Sequence, residues 1–403
     1  MPSFSFPPGF FWGASTSSYQ VEGNNNNNDW FLWEVEGKVA FSCGRAADSY
    51  QRFEEDFQLA KFLGHNSHRF SLEWSRIQPH EKEFNKKEIE HYRQVIYSLL
   101  EKDIQPIVTL HHFTNPLWFY QKGCWVNPYS SDYFARYVEK ISRELSGLVK
   151  YWITINEPLV YIYNSYFRGI WPPGENSLRK AGEVLKNIKE AHLKAYQIIH
   201  KTNNKVFVSL AKHLREFSPC HFLNFGQNFV PAFLRNKFFN FELLNYFYKK
   251  KSLDFLAVNY YSKDFVRFSG GELFGKNCYS SHHQLRRNSL GWYVSPDSFF
   301  NILLRLKRFN LDIIITENGT SEERPELYED FLRTHILSMV KAIKLGVKVK
   351  GYLWWSLIDN FEWERGFSPK FGLIGVDRNL NRTIKPFSYI YKNICINNLI
   401  NYG

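Results

Sequence analysis

Cysteine is scarce in this chain. Its five residues, Cys43, Cys124, Cys220, Cys278 and Cys395, are odd in number, widely spaced and without a C-x-x-C pair. That distribution argues against a disulfide framework and a zinc ribbon, and fits a reducing cytosol. No apolar run approaches the roughly 18 residues of a membrane span, so no stable membrane insertion is expected. The opening segment MPSFSFPPGF has neither a basic n-region nor an apolar h-region, which speaks against a secretory signal. Blocks of five or more like charges are also missing. The net charge is +12, but Lys and Arg are dispersed as on a basic solvated surface, which disfavours a nucleic-acid partner. These absences point to a cytoplasmic globular protein.

The chain is 403 residues long, 44% hydrophobic and 22% charged, and rich in aromatics, at 18% with 12 Trp. Much of that aromatic surface belongs in a core, but aromatic faces also stack on the C–H faces of sugars. Linkers, low-complexity segments and sequence repeats are absent, so residues 1–403 are expected to form one domain. Strand-length apolar runs fall at 9–15, 66–74, 104–112, 150–156, 205–213, 253–261, 311–318 and 349–357. Helical patterns lie between them. Ile89, Tyr92, Ile96 and Leu99 share one face, as do Phe134, Val138, Ile141, Leu145 and Leu148, and Leu332, Ile336, Met339 and Ile343. Ser130 or Ser131 suits the N-cap of the second set.

Eight strands alternating with helices, most of them apolar on both faces, predict an α/β protein with a parallel sheet covered by helices. The count of eight favours a (β/α)8 TIM barrel, with its active site at the C-terminal strand ends. No G-x-G-x-x-G follows the first strand, which removes the main support for a dinucleotide-binding sheet. Polar and aromatic groups collect at the strand ends: Arg69, His111 and His112, Asn156 and Glu157, Asn259 and Tyr261, Glu317 and Asn318, and Trp355. A ring of such residues is hard to explain as core packing.

Two carboxylates across a barrel mouth suit glycoside hydrolysis, one as acid and base, the other as nucleophile or as base toward water. Taken alone, a strand-end Glu is more often a helix N-terminal residue favoured by the dipole. The pair on matching strand ends changes that balance. Arg69 and the Tyr261 hydroxyl are expected to hold Glu317 ionised. Glu157, beside an ionised partner, is expected to have a raised pKa and keep the proton for the leaving oxygen. Asn156 suits the sugar 2-hydroxyl. His111–His112 make a poor metal pair, because adjacent strand residues point to opposite faces and no third ligand is suitably spaced. Neither metal nor cofactor is expected.

The segments FPPGFFWGASTSSYQVEG, FSLEWSRIQP, TLHHFTNPLW, TINEP, VNYYS, ITENG, WWSLIDNFEWERGF and FSPKFGLIGVD occur in this order. Together they resemble glycoside hydrolase family 1, the β-glucosidase family, along nearly the whole chain. The resemblance implies a retaining mechanism with Glu157 as acid/base, Glu317 as nucleophile, and carboxyl groups about 5–5.5 Å apart. It also implies that Gln20, His112, Glu362 and Trp363 bind the distal sugar hydroxyls, that Trp355 forms the platform under the ring, and that Asn156, Asn259 and Tyr261 line the site. Glu362 and Trp363 disfavour the branch acting on 6-phosphorylated sugars. The retained Glu157 disfavours the thioglucosidase branch.

There are departures too. HFT stands where HWD is commoner, at Phe113 and Thr114, and LEWSR stands for ISWSR, introducing Glu73. The expected activity is hydrolysis of small β-glycosides, foremost β-glucosides, with β-galactosides and β-fucosides alongside. A transglycosidase and a non-catalytic sugar-binding barrel are the rival readings. Nothing in the sequence sets an oligomeric state.

Overall fold

The eight strand-length runs all form strands: β1 Phe11–Ser15, β2 Ser67–Ser71, β3 Gln105–His111, β4 Tyr151–Asn156, β5 Phe207–Pro219, β6 Leu256–Ser269, β7 Ile313–Asn318 and β8 Val349–Trp355. Each pairs in parallel with its neighbours in sequence, and β8 closes the ring on β1, with Tyr352 opposite Trp12. The computed structural model describes residues 2–220, 225–270, 272–280 and 283–402.

A principal helix follows every strand: α1 Ser49–Phe62, α2 Lys86–Glu101, α3 Ser130–Glu144, α4 Leu178–Thr202, α5 Leu243–Lys249, α6 Pro296–Leu306, α7 Pro325–Lys344 and α8 Pro386–Asn397. The alternation of side chains along each strand divides the interior in two. Ile107, Ile153, Ala211, Ala257, Ile314 and Leu353 fill the barrel, while Val108, Val208, Val258 and Ile315 meet the apolar helix stripes outside it. The barrel is therefore plugged, and chemistry is left to its mouth.

Two expectations need correction. The N-cap of α3 is Tyr129, without a side-chain cap. The Ser130 hydroxyl donates to the Trp125 carbonyl and the Ser131 hydroxyl accepts from Lys194, so neither turns back to cap the helix. The second concerns cysteine. Strands β5 and β6 run on past the barrel, still paired as far as Pro219 opposite Val266, and an arm strand, Glu272–Asn277, folds back on β6. Cys220 N donates to the Val266 carbonyl and Cys278 N to that of Phe265. The ladder thus brings together two cysteines 58 positions apart, and they form a disulfide. Cys43, Cys124 and Cys395 are buried free thiols. The inference of a reducing compartment from cysteine spacing therefore loses its ground. Among the described residues, no helix is long and apolar enough to cross a membrane.

Candidate active site

Glu157 ends the β4 segment in a left-handed conformation, φ 42° and ψ 55°, as the residue before the short helix Pro158–Ile162. Proline suits the first helical position because its fixed φ is already helical and no N–H is lost there. A non-glycine residue held in that region costs roughly 1–3 kcal/mol, the kind of strain that collects at functional sites. The backbone N–H of Glu157 is anchored on the Ala211 carbonyl. Its side chain makes no cap hydrogen bond. Instead, Oε1 accepts from Asn259 Nδ2 at 2.7 Å and lies 3.4 Å from His213 Nδ1. Glu157 thus does stand at a helix N-terminus, but its carboxylate is turned to Asn259 and His213 rather than to a cap hydrogen bond.

Glu317 lies in β7 opposite Asn259 of β6. Its Oε2 accepts from the Tyr261 hydroxyl at 2.6 Å, and its Oε1 accepts from Arg69. Arg69 is fully buried and also donates to Thr109 Oγ1 at 3.0 Å and to Asn156 Oδ1 at 2.7 Å. Asn259 Nδ2 reaches the same Asn156 oxygen at 3.2 Å, and Asn259 Oδ1 accepts from Thr316. One network thus runs from Glu317 through Arg69, Asn156 and Asn259 to Glu157.

The two carboxylates titrate as a pair. Burial pushes Glu317 up, Arg69 pulls it down, ionised Glu157 pushes it up again and Tyr261 lowers it, leaving it at about 7. For Glu157, burial raises the pKa, but His213, Asn259 and Lys212 outweigh it and leave it below the usual carboxylate value. The order is the reverse of the one expected from sequence, which omitted His213 and Lys212. Burial also lowers the pKa of His213 and brings that of Lys212 to about 7. His213 is therefore a close dipolar neighbour of Glu157 near neutrality rather than a full ion-pair partner. The consequence is a shared proton. From the low carboxylate range to about pH 7 the pair carries one proton, which belongs to the pair rather than to either residue.

The rest of the mouth is an aromatic wall with a few polar groups. The His112 ring lies near-parallel to Trp355 at 6.0 Å and to Trp363 at 6.3 Å. Asn156 Nδ2 meets His112 Nε2 at 3.1 Å. His111 points the other way, among Trp125, Phe134 and Tyr161. Trp363, at φ 55°, is held by Tyr19, Trp30, Phe113 and Trp171. The Trp355 indole donates to Glu362 Oε1 at 3.1 Å, and burial pushes the Glu362 carboxyl up. Gln20 is fully buried and gives its amide hydrogens to Asn360 Oδ1 and the Phe361 carbonyl. A half-open pocket elsewhere, lined by Glu22, Asp56 and Tyr92 among others, offers only about 40 Å³. That space suits water and is too small for a hexose.

The departures explain one another. Glu73 is buried and accepts from Ser18, Ser75 and Thr114 hydroxyls, the last at 3.1 Å to both carboxylate oxygens. The negative charge expected at position 114 is supplied from position 73. Phe113 packs on Trp171 and Trp363 and keeps the wall closed. His213 and Lys212 escaped the sequence reading. His213 ends the fifth strand-length run, so the rule that singled out Glu157 applied to it as well. Among the described residues, the one three-ligand group of metal-binding type is Cys220, Cys278 and His283, and two of its sulfurs are committed to the disulfide.

A plugged parallel barrel whose mouth holds a proton-sharing carboxylate pair beside an aromatic wall is built to break glycosidic bonds. Comparison with known proteins agrees. The pattern of "Glycosyl hydrolase family 1" matches residues 3–224 and 235–399, and the chain belongs to that family of glycoside-hydrolysing enzymes. A 1,4-beta-D-glucan glucohydrolase of Thermotoga neapolitana is 31% identical over 98% of both chains. Beta-glucosidase A of Thermotoga maritima matches to the same extent. The structure of a beta-glycosidase from Pyrococcus horikoshii superposes with a TM-score of 0.94, at 34% identity, over 100% of this chain and 97% of that one. A Thermotoga maritima beta-glucosidase in complex with glucoimidazole superposes at 0.91, with 30% identity over 98% and 99% of the two chains.

Proposed function

We propose that the chain is a retaining β-glucosidase in which Glu317 is the nucleophile and Glu157 the acid/base. The observation that carries this is the single network joining the carboxylates, with Arg69 and Tyr261 on one and Asn259 and His213 on the other. In the first step Glu317 attacks the anomeric carbon while Glu157 gives the shared proton to the leaving oxygen. In the second step Glu157 takes a proton from water, which attacks the anomeric carbon and releases Glu317. Forming the glycosyl ester removes the charge on Glu317, so Glu157 no longer faces an anion and turns into a base. Arg69 and Tyr261 aim the nucleophile and offset part of the cost of ionising it in a buried setting, and the strained backbone at Glu157 fixes its direction.

Trp355 serves as the floor under the sugar ring. His112, Gln20, Glu362 and Trp363 take its distal hydroxyls, and Asn156, steadied by Asn259, takes the 2-hydroxyl. The bound sugar mimic in the Thermotoga maritima structure supports a small β-glycoside as substrate. Glu362 and Trp363 leave no cation for a 6-phosphate. No step calls for a cofactor, and the whole chain acts as one catalytic domain.

A 2-deoxy-2-fluoro β-glucoside, which slows the second step more than the first, should trap the intermediate. Peptide mapping is expected to find the label on Glu317, and proton NMR of an ordinary substrate should show the β-anomer released first. Label on another residue, or the α-anomer first, refutes the assignment.

A further inference from the structure

The matched family pattern skips residues 225–234, and the structure places the helix Phe225–Arg235 there. Its inward face is Asn228, Pro231 and Ala232, while Val230 and Phe233 face outward at 54% and 52% exposure. That inverts the usual surface helix, which turns its apolar stripe inward. The apolar surface continues onto the segments packed beside it. Arg235 ties the helix to the Phe274 and Gly275 carbonyls, Asn228 accepts from Phe268 N, and Phe238 meets Phe274 edge-to-face at 5.9 Å. Phe238, Phe268, Leu273 and Phe274 are all exposed, so apolar side chains gather on this lobe in the way that marks an interaction surface.

Charge narrows the partner. Arg235, Lys237, Arg267 and Lys276 stand in or around the patch against two acids, Glu242 and Glu272, the second paired with Lys276 at 3.1 Å. Across a twofold axis the same patch faces itself, so this excess of positive charge opposes self-association. Exposed aromatics ringed by Lys and Arg suit the boundary between headgroups and acyl chains of an anionic bilayer. The patch lies beyond the C-terminal strand ends, on the side of the barrel mouth. It caps the extension of β5 beyond His213, and the six residues on to Pro219 span about 20 Å of extended chain.

We propose that this lobe is a docking surface for anionic lipid bilayers, which brings the barrel mouth to glycosides with a lipid aglycone. The aglycone clause rests on the glycosidase reading; the docking clause does not.

The test is co-sedimentation with phosphatidylcholine vesicles, with and without phosphatidylserine. It compares wild type, Phe233→Ser/Phe274→Ser and Lys237→Glu/Lys276→Glu. Wild type should bind the anionic vesicles and weaken as salt is raised, and each variant should partition at least about tenfold less. All three should hydrolyse a soluble aryl β-glucoside equally, which shows that they are folded. A long-chain alkyl β-glucoside embedded in the same vesicles should be cleaved about tenfold more slowly by the variants. Docking is overturned if wild type ignores anionic vesicles or if the Ser variant binds as well as wild type. It is also overturned if light scattering shows a dimer that the Ser substitutions abolish, since the patch then belongs to a second copy. Equal cleavage of the embedded glucoside overturns the aglycone clause alone. Vesicle binding reads no chemistry, so it stands or falls apart from the anomer experiment.

Discussion

Replacing Tyr261 with Phe removes one oxygen and one hydrogen bond from the site while keeping the ring between Trp292 and Phe371. The lost bond, 2.6 Å to Glu317 Oε2, is one to a charged acceptor in a buried setting. Such a bond is worth about 1.5–3 kcal/mol. It favours the ionised form of Glu317, so its loss raises the cost of the microstate with Glu317 charged and Glu157 protonated. That microstate is the productive one, and its share of the one-proton pair should fall about ten- to hundredfold.

The same loss moves the titration. Every state with Glu317 ionised is disfavoured, so the pair holds its last proton more tightly. The alkaline limb of the kcat/KM profile should therefore shift to higher pH, by about 1–2 units from the energy above, while the acid limb, set by Glu157, stays in place. For the wild type the alkaline limb is set by the pair losing its last proton near the Glu317 value of about 7. The assay is initial-rate hydrolysis of an aryl β-glucoside from pH 4 to 9. An unchanged rate refutes the role of Tyr261. A reduced rate with both limbs in place refutes the shared-proton account, because it reduces the hydroxyl to packing.

Arg69→Met should destabilise the fold by about 3–5 kcal/mol at pH 8 in urea titrations, because it strands a buried carboxylate. The loss should shrink toward pH 5. Without Arg69 the folded pKa of Glu317 lies further above its unfolded value, so stability falls as pH rises between the two. A loss independent of pH contradicts this. Glu73→Ser should cost about 1–3 kcal/mol by leaving the Ser18, Ser75 and Thr114 hydroxyls without their acceptor. Thr114→Asp alone should also destabilise, by setting a second carboxylate against Glu73, and the double variant should recover at least about 1 kcal/mol relative to the sum. Strict additivity rules out a carboxylate relocated between the two positions.

The barrel was legible because its strands are short apolar runs whose ends carry polar groups. In a closed parallel ring, every such end opens on the same face. Arg69, Asn156, Asn259, Tyr261 and Glu317 were found by that rule alone, and the structure joins them through one set of hydrogen bonds. The rule reaches His213 as well, but it says nothing of what lies beyond the mouth where a strand overruns its barrel. The run ending at His213 has no breaker, and the ladder continues to Pro219, so the histidine reads as mid-strand in space although it looks terminal in sequence. It is that overrun that aligns Cys220 with Cys278, a pairing invisible to spacing because Val266 and Phe265 of β6 mediate it.

The charge order of the two glutamates is not legible in the sequence, for a related reason. Sequence motifs name the charge partners and donors that lie within a motif, and Arg69 and Tyr261 do. Lys212 and His213 lie on a strand with no motif of its own, yet His213 Nδ1 stands 3.4 Å from Glu157 and the charge of Lys212 lowers its pKa. With these groups beside Glu157, the surroundings tilt the proton of the free pair toward Glu317. In the proposed mechanism, a substrate that places its leaving oxygen beside Glu157 and its anomeric carbon beside Glu317 selects the opposite, productive microstate. The Tyr261→Phe profile measures how evenly the two are balanced beforehand.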